Sequence, residues 1–369
     1  MKNFLNPATA ALLFVLFLFS GLSAERGSGN PLIRPVSVYG EDDRFEYYQA
    51  DEVTRKLAES TAALFRSKDV SDEGNGLFRI RPATLGGRYN LKAGERFSGQ
   101  PSASFCSGAL VGKNLILTSA HCLRQVPCEK IRVAFDYFVK SEGDYPGALE
   151  GRNIYSCAGV EAQNYDRAGA DYAIIRLDRE VQGRFPLAVN REDDIREGVG
   201  LFVIGYPSGM PAKVSDNASV RKVEKDFFVT DLDTFRGNSG SPVFNAETMR
   251  IEGVLSRGGT DYVYSSGDGQ ARDPRYPQIY EPGQAYVTGQ NEGRGEDVTK
   301  SCVFQGSIPQ GEFERALNEA ERRGIRPQRQ NQAPAVTPAI YIPDEFGGPR
   351  VVPAIYNIPE PSAPEVVEI

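Results

Sequence analysis

Residues 104 to 254 predict an all-β domain, a barrel or a sandwich, on two observations. The stretch is a series of short β-branched and aromatic runs: SGALVG, LILTSA, IRVAFDYF, YAIIRL, LFVIGY, FFVT, SPVF and IEGVL. Turn residues part them at short intervals, the spacing of antiparallel strands and not of helices. The chain of 369 residues, 40% hydrophobic and 25% charged, is long enough for one large domain or two modest ones. Its net charge of -7 leaves no basic excess to neutralise phosphates, which argues against a nucleic-acid or anionic-membrane binder.

Taken in order, residues 1–24 read MKNFLNPATAALLFVLFLFSGLSA, with Lys2 as a charged start, an apolar run through Phe19, and the small residues Ser23 and Ala24. That is the pattern of a secretory signal peptide cleaved after about Ala24, the alternative being an uncleaved anchor helix. No later stretch is apolar enough to span a bilayer, so a secreted or periplasmic protein without a stable membrane anchor is expected. Residues 25–37 read as a leader or linker, and ordered sequence starts at VYGEDDR. Residues 52 to 67 fit an amphipathic helix or, through Ser60 to Phe65, a strand. Residues 258–300, rich in Gly and Tyr with little periodicity, read as a long surface loop. GEFERALNEAERRG places Phe313, Ala316, Leu317 and Ala320 at helical spacing and ends on Gly324, which predicts a short C-terminal helix. Residues 326–369 turn proline- and glutamine-rich and carry the near-repeat PAIYIP and PAIYNIP, the composition of a disordered tail whose partner, if it has one, is unknown.

Hydroxyl attack on an acyl carbon needs a base, a group that orients the base, and donors aimed at the oxyanion. The base is nearly forced, because His121 is the sole histidine of the chain. Cys106 and Cys122 bracket the run CSGALVGKNLILTSAHC, which allows two adjacent strands turning at Gly112 to Asn114 and a bridge that pins the histidine loop. Asp171 opens DYAIIRL, a run apolar enough for a buried strand, and is the best orienting acid; Asp136, Asp144 and Asp166 have weaker settings. In GNSGS, glycines on both sides of Ser239 permit a tight turn in which the amides of Gly237 and Ser239 converge on one point. A nucleophile elbow of the α/β-hydrolase kind needs a histidine after the serine, and none follows Ser239. The order His, Asp, Ser is that of the chymotrypsin-type double barrel.

Residues from about 104 to 257 resemble the trypsin-like superfamily, and GNSGSPVF is most similar to its bacterial V8-type, glutamyl endopeptidase-like branch. The resemblance implies two six-stranded antiparallel β-barrels within a protease domain of residues 38–325. It implies His121 as general base, Asp171 as its orienter, Ser239 as nucleophile, and an oxyanion hole at Gly237 and Ser239. Asn238 stands where zymogen-activated trypsin relatives carry an aspartate, so that ion-pair activation is not expected. Asp233, six positions before Ser239, has the spacing of the acid at the base of a trypsin-like primary pocket; Ser256 and Gly258 in SRGG resemble the pocket wall. These imply protein or peptide substrates with Arg or Lys before the scissile bond. Glutamate preference is the alternative, but the second histidine of the glutamate-specific pocket is lacking; a further alternative is an inactive protease-like binding module.

Export makes disulfides the expected state of the cysteines. Cys128 and Cys157 flank the segment from IRVAFDYF to NIYS and are expected to bridge two strands, leaving Cys302 over, although other pairings stay open. The cysteine spacing fits no zinc pattern, and neither a metal nor a cofactor is expected.

Overall fold

The computed structural model describes residues 37–265 and 281–325, with the strand pair Ile340–Pro343 and Pro349–Val352 beyond them. The expected signal peptide, the leader up to residue 36, and the rest of the proline-rich tail lie outside the described residues.

Two closed six-stranded antiparallel barrels form the body of the protein. The first contains β1 (Thr61–Arg66), β2 (Cys106–Gly112), β3 (Leu115–Thr118), β4 (Ile131–Ala134), β5 (Ile154–Tyr165) and β6 (Asp171–Leu177). The second contains β7 (Gly200–Gly205), β8 (Lys213–Val223), β9 (Phe227–Thr230), β10 (Pro242–Asn245), β11 (Ile251–Arg257) and β12 (Glu296–Lys300). Strands neighbour one another in the order β4-β5-β6-β3-β2-β1 in the first barrel, closed by β1 on β4. The second repeats that topology, β10-β11-β12-β9-β8-β7, closed by β7 on β10. Closure removes the unpaired edges that an open sheet exposes. Among the described residues four helices accompany the barrels: α1 (Glu52–Glu59), α2 (Leu85–Tyr89), α3 (Ala120–Gln125) and α4 (Glu312–Arg322).

Both readings of residues 52 to 67 hold, in succession. Asp51 caps α1 by accepting from the Thr54 amide at 3.0 Å, and the chain turns at Ser60 into β1, whose residues 61 to 65 are all buried. The first barrel therefore begins some forty residues ahead of the stretch whose pattern announces it. The C-terminal helix forms as expected and packs Phe313 on Phe185, ring centroids 4.6 Å apart, while its buried Glu314 pairs with Arg191 at 2.8 Å. Gly324 follows it with φ of 74°, the left-handed conformation that ends a helix cheaply.

The expected surface loop of residues 258–300 needs correction. Its last five described residues are β12, a fully buried central strand between β9 and β11. EDVTK does not look like such a strand because two of its three charges, Asp297 and Lys300, meet partners that lie in part in other segments. Asp297 meets Arg257 at 2.8 Å and Arg294 at 2.6 Å, and Lys300 meets Asp193 at 2.9 Å. Earlier in the same stretch Tyr262–Val263 pairs with Gln284–Ala285, and Val287–Thr288 pairs in parallel with Val38–Tyr39.

Disulfides join Cys106 to Cys122 and Cys128 to Cys157, and Cys302 is free. The first ties β2 to α3 across a separation of 16 residues. Replacing both Cys106 and Cys122 by alanine is expected to lower stability by about 2–4 kcal/mol, since the bridge restricts the unfolded chain, and chemical denaturation of the double variant measures it.

Candidate active site

A cleft of about 530 Å³ carries His121, Asp171 and Ser239 in its wall, with Ser256 and Gly258. His121 stands on the second residue of α3, immediately after β3, and Asp171 is the first residue of β6, so the first barrel supplies both. Ser239 comes from the turn that enters β10 of the second barrel.

Asp171 is 1% exposed and accepts from His121 twice, from the ring Nδ1 at 2.7 Å and from the backbone amide at 3.1 Å. The double contact fixes both the ring and the start of α3, and it leaves Nε2 as the nitrogen directed away from the acid. Asp171 is itself anchored: its amide donates to Thr299 Oγ1 at 3.0 Å, and its carbonyl accepts from Ser256 Oγ at 3.2 Å. Ser256 lines the cleft, yet its hydroxyl serves Asp171 and Thr299, 2.6 Å away, and so belongs to the support of the acid. Thr299 had no sequence signal beyond being polar in a strand.

The turn around Ser239 is held by Ser107 of β2. Its Oγ donates to the Gly237 carbonyl at 2.7 Å and its amide to the Ser239 carbonyl at 2.8 Å. With both carbonyls engaged on that side, the amides of Gly237 and Ser239 donate to no acceptor among the described residues. Gly237 has φ of 101°, and a Cβ there would lie 2.6 Å from the Tyr206 carbonyl oxygen, so glycine is required by conformation and by space. At Gly240 a Cβ would lie 2.2 Å from the Ser107 carbonyl oxygen. Ser239 Oγ and His121 Nε2 form no hydrogen bond among the described residues, although both side chains border the cleft. Catalytic bonds of this kind are often long without substrate and tighten in the Michaelis complex.

Asp233 is not where its spacing places it. It is absent from the cleft wall, and its carboxylate accepts from the Tyr39 amide at 2.8 Å and the Asp43 amide at 3.0 Å. It clamps the N-terminal segment beneath the loop that leads to Ser239, a contact between parts of the chain too distant for local spacing to reveal. The acids in the cleft wall are Asp171, Asp261 and Glu296. Asp261 accepts from the Arg236 amide at 3.0 Å and from Ser37 Oγ at 3.1 Å. Arg236 is exposed at the rim. Cys106, His121 and Cys122 are the cluster of His, Cys, Asp or Glu close enough to suggest a metal among the described residues, but both sulfurs are committed to the disulfide.

Burial raises several of these acids. Glu296 is pushed up to about 8, mainly by desolvation and against the hydrogen bond from Thr234. Asp261 is raised for the same reason; Asp43 is raised by burial and by its neighbour Asp233, and Asp233 by burial. Each retains its proton in the folded state at pH values where the unfolded chain has released it. Folding therefore takes up protons above pH 4 to 5, and stability is expected to fall as pH rises from there toward 8. Melting temperatures measured between pH 5 and pH 8 check this, and Asp43→Asn should flatten the slope.

Residues 106–254 match the family model of the trypsin-like peptidase domain. Over those residues the chain is similar to the trypsin-like serine proteases. Its curated relatives include a glutamyl endopeptidase and an exfoliative toxin. A glutamyl endopeptidase of Staphylococcus epidermidis is 29% identical over 169 residues, 43% of this chain and 56% of that protein. Exfoliative toxin A of Staphylococcus aureus is 26% identical over 172 residues, 43% of this chain and 57% of the toxin. The match thus spans little more than half the length of either relative. A solved structure of HBP is similar with a TM-score of 0.40 and 14% identity, covering 68% of this chain and 90% of that one. Among the described residues, no helix is long and apolar enough to cross a membrane.

Proposed function

We propose that the chain is a serine endopeptidase working through an acyl-enzyme, exported by its N-terminal segment. The observation that carries this reading is the 2.7 Å contact of His121 Nδ1 with buried Asp171, in a cleft shared with Ser239. In the proposed reaction His121 Nε2 takes the proton from Ser239 Oγ as the oxygen attacks the substrate carbonyl. The oxyanion so formed accepts from the amides of Gly237 and Ser239, which the Ser107 contacts leave uncommitted. The imidazolium then returns the proton to the leaving amine as the C–N bond breaks, and water releases the acyl group by the same steps in reverse roles. Asp171 orients the ring and stabilises its charge without itself being protonated. None of these steps calls for a metal or cofactor.

Digestion of an unfolded protein by the purified chain tests the reading, with mass spectrometry to locate the cut bonds. Peptide-bond cleavage supports it, and cleavage of esters alone defeats it. A second reading, glutamate preference, is favoured by the name of the staphylococcal relative. The single histidine of the chain counts against it.

A further inference from the structure

Every backbone carbonyl from Phe235 to Ser239 is held. That of Phe235 accepts from the Asn238 amide at 2.9 Å, that of Arg236 from the Ser208 amide at 2.5 Å, and that of Asn238 from the Ser241 amide at 2.8 Å. Those of Gly237 and Ser239 rest on Ser107. Of the amides in the same run, Arg236 donates to Asp261, Asn238 to Phe235 and Gly240 to Leu255, while Gly237 and Ser239 have no acceptor among the described residues. A trans peptide is planar, so a bound carbonyl turns the N–H of its own unit the opposite way. The Asn238 carbonyl, held inside the turn by Ser241, thus aims the Ser239 amide. The Arg236 carbonyl aims the Gly237 amide, and its hold comes from outside the turn, from Ser208 in the loop between β7 and β8.

Ser208 is 1% exposed and has φ of 52°, left-handed backbone that a residue with a Cβ adopts only under constraint. The constraints come from several sides. Its carbonyl accepts from Ser102 Oγ at 2.5 Å, and its hydroxyl lies 2.8 Å from Tyr262 Oη. Gly209 beyond it donates to the Tyr206 carbonyl at 3.0 Å and accepts from the Ala103 amide at 2.8 Å. The strained residue thereby delivers its N–H to the Arg236 carbonyl, which no other donor reaches among the described residues. Gly237, with φ of 101° and no Cβ, offers little steric resistance to rotation of the unit between it and Arg236. Without the Ser208 amide that unit can turn over, taking the Gly237 N–H out of the cleft.

Resting on the endopeptidase reading above, we propose that Ser208 is a positioning residue of the oxyanion hole, whose left-handed backbone locks the Arg236–Gly237 peptide with the Gly237 N–H facing the cleft.

Variants at position 208 separate backbone from side chain. Ser208→Gly loses the hydroxyl but adopts φ near 52° freely, and it is expected to keep kcat within about threefold of the wild type. Ser208→Val, whose β-branched side chain disfavours the left-handed region, is expected to lower kcat by about tenfold to a hundredfold below the glycine variant, with KM little changed. Affinity of the valine variant for a peptide trifluoromethyl ketone, built on a sequence the enzyme cuts, should fall by the same factor. In that adduct Ser239 Oγ bonds the ketone carbon, the ketone oxygen carries the negative charge into the hole, and His121 keeps the Ser239 proton. Affinity for the matching alcohol, which forms no adduct, should not change. Amide hydrogen exchange of the wild type, followed by NMR, needs no variant to fold. The Ser208 amide is expected to be protected throughout, and the Gly237 amide to exchange fast until the ketone binds. A folded valine variant within about tenfold of the glycine variant, an equal loss of ketone and alcohol affinity, or a Ser208 amide that exchanges fast in the wild type overturns the proposal. Peptide cleavage by the wild type leaves the endopeptidase reading standing in each of those cases. A wild type that neither cuts peptides nor takes up a fluorophosphonate at Ser239 removes both.

Discussion

Ser239→Ala is expected to reduce peptide hydrolysis by roughly a hundred-thousandfold to a millionfold, with folding unchanged. The substitution removes one oxygen from a side chain that no neighbour relies on for support. What holds the turn is Ser107, through the carbonyls of Gly237 and Ser239, and those contacts are made to the backbone. Alanine leaves them intact, so the amides of the turn keep their orientation. Residual activity of the variant would come from the oxyanion donors and substrate binding alone, which is why the loss is large without being total. Single-turnover cleavage of a fluorogenic peptide, with circular dichroism to establish the fold, measures it. A loss below about tenfold would mean that the attacking oxygen comes from elsewhere, because a nucleophile supplies one bond of the intermediate and has no substitute nearby.

Asp171→Asn is expected to cost about ten-thousandfold in kcat with a small change in KM. An asparagine can occupy the site of a buried aspartate with little change of shape, and the contacts of the Asp171 backbone with Thr299 and Ser256 do not depend on the side chain. The lost element is charge and acceptor capacity. Asp171 accepts from both His121 Nδ1 and the His121 amide, and an amide side chain satisfies both only by turning its oxygen to one and its NH2 to the other. If the NH2 faces Nδ1, the ring is held in the tautomer whose Nε2 already bears hydrogen, and it is no longer a base toward Ser239. A kcat-specific loss distinguishes this from a structural role, which would alter KM and stability together.

The parts of the site that could be read from sequence are those encoded locally. LTSAHC, DYAIIRL and GNSGS each place one candidate residue at the end of a strand or in a glycine turn, a position that the local sequence announces even though long-range contacts complete the geometry. The single histidine and its position before the serine then removed the competing hydrolase fold. Three features escaped. Thr61–Arg66 was ambiguous because a helix precedes it without a break in apolar content. Glu296–Lys300 resembled a loop because its burial depends on Arg257 and Asp193, supplied by other segments. Asp233 had the right spacing for a pocket acid, but the Tyr39 and Asp43 amides, some 190 positions away in sequence, take both of its oxygens. In each case the deciding contact is long-range, whereas a motif reports only its own neighbourhood.

The same distinction explains why the N-terminal segment matters to the site without belonging to it. Ser37, Tyr39 and Asp43 touch Asp261, Glu296 and Asp233, so the segment underlies both the pocket acids and the loop before Ser239. Arg44 adds a stacking contact on Phe235, 3.9 Å from the ring centroid.

The central claim is that Ser239 is a nucleophile activated by His121. Reaction with a fluorophosphonate, followed by mapping of the labelled peptide, tests it most directly. The account predicts covalent labelling of the wild type at Ser239, and none of the folded His121→Ala variant on the same time scale. Labelling at another residue, equal labelling of the two proteins, or no labelling of correctly folded wild type would contradict it.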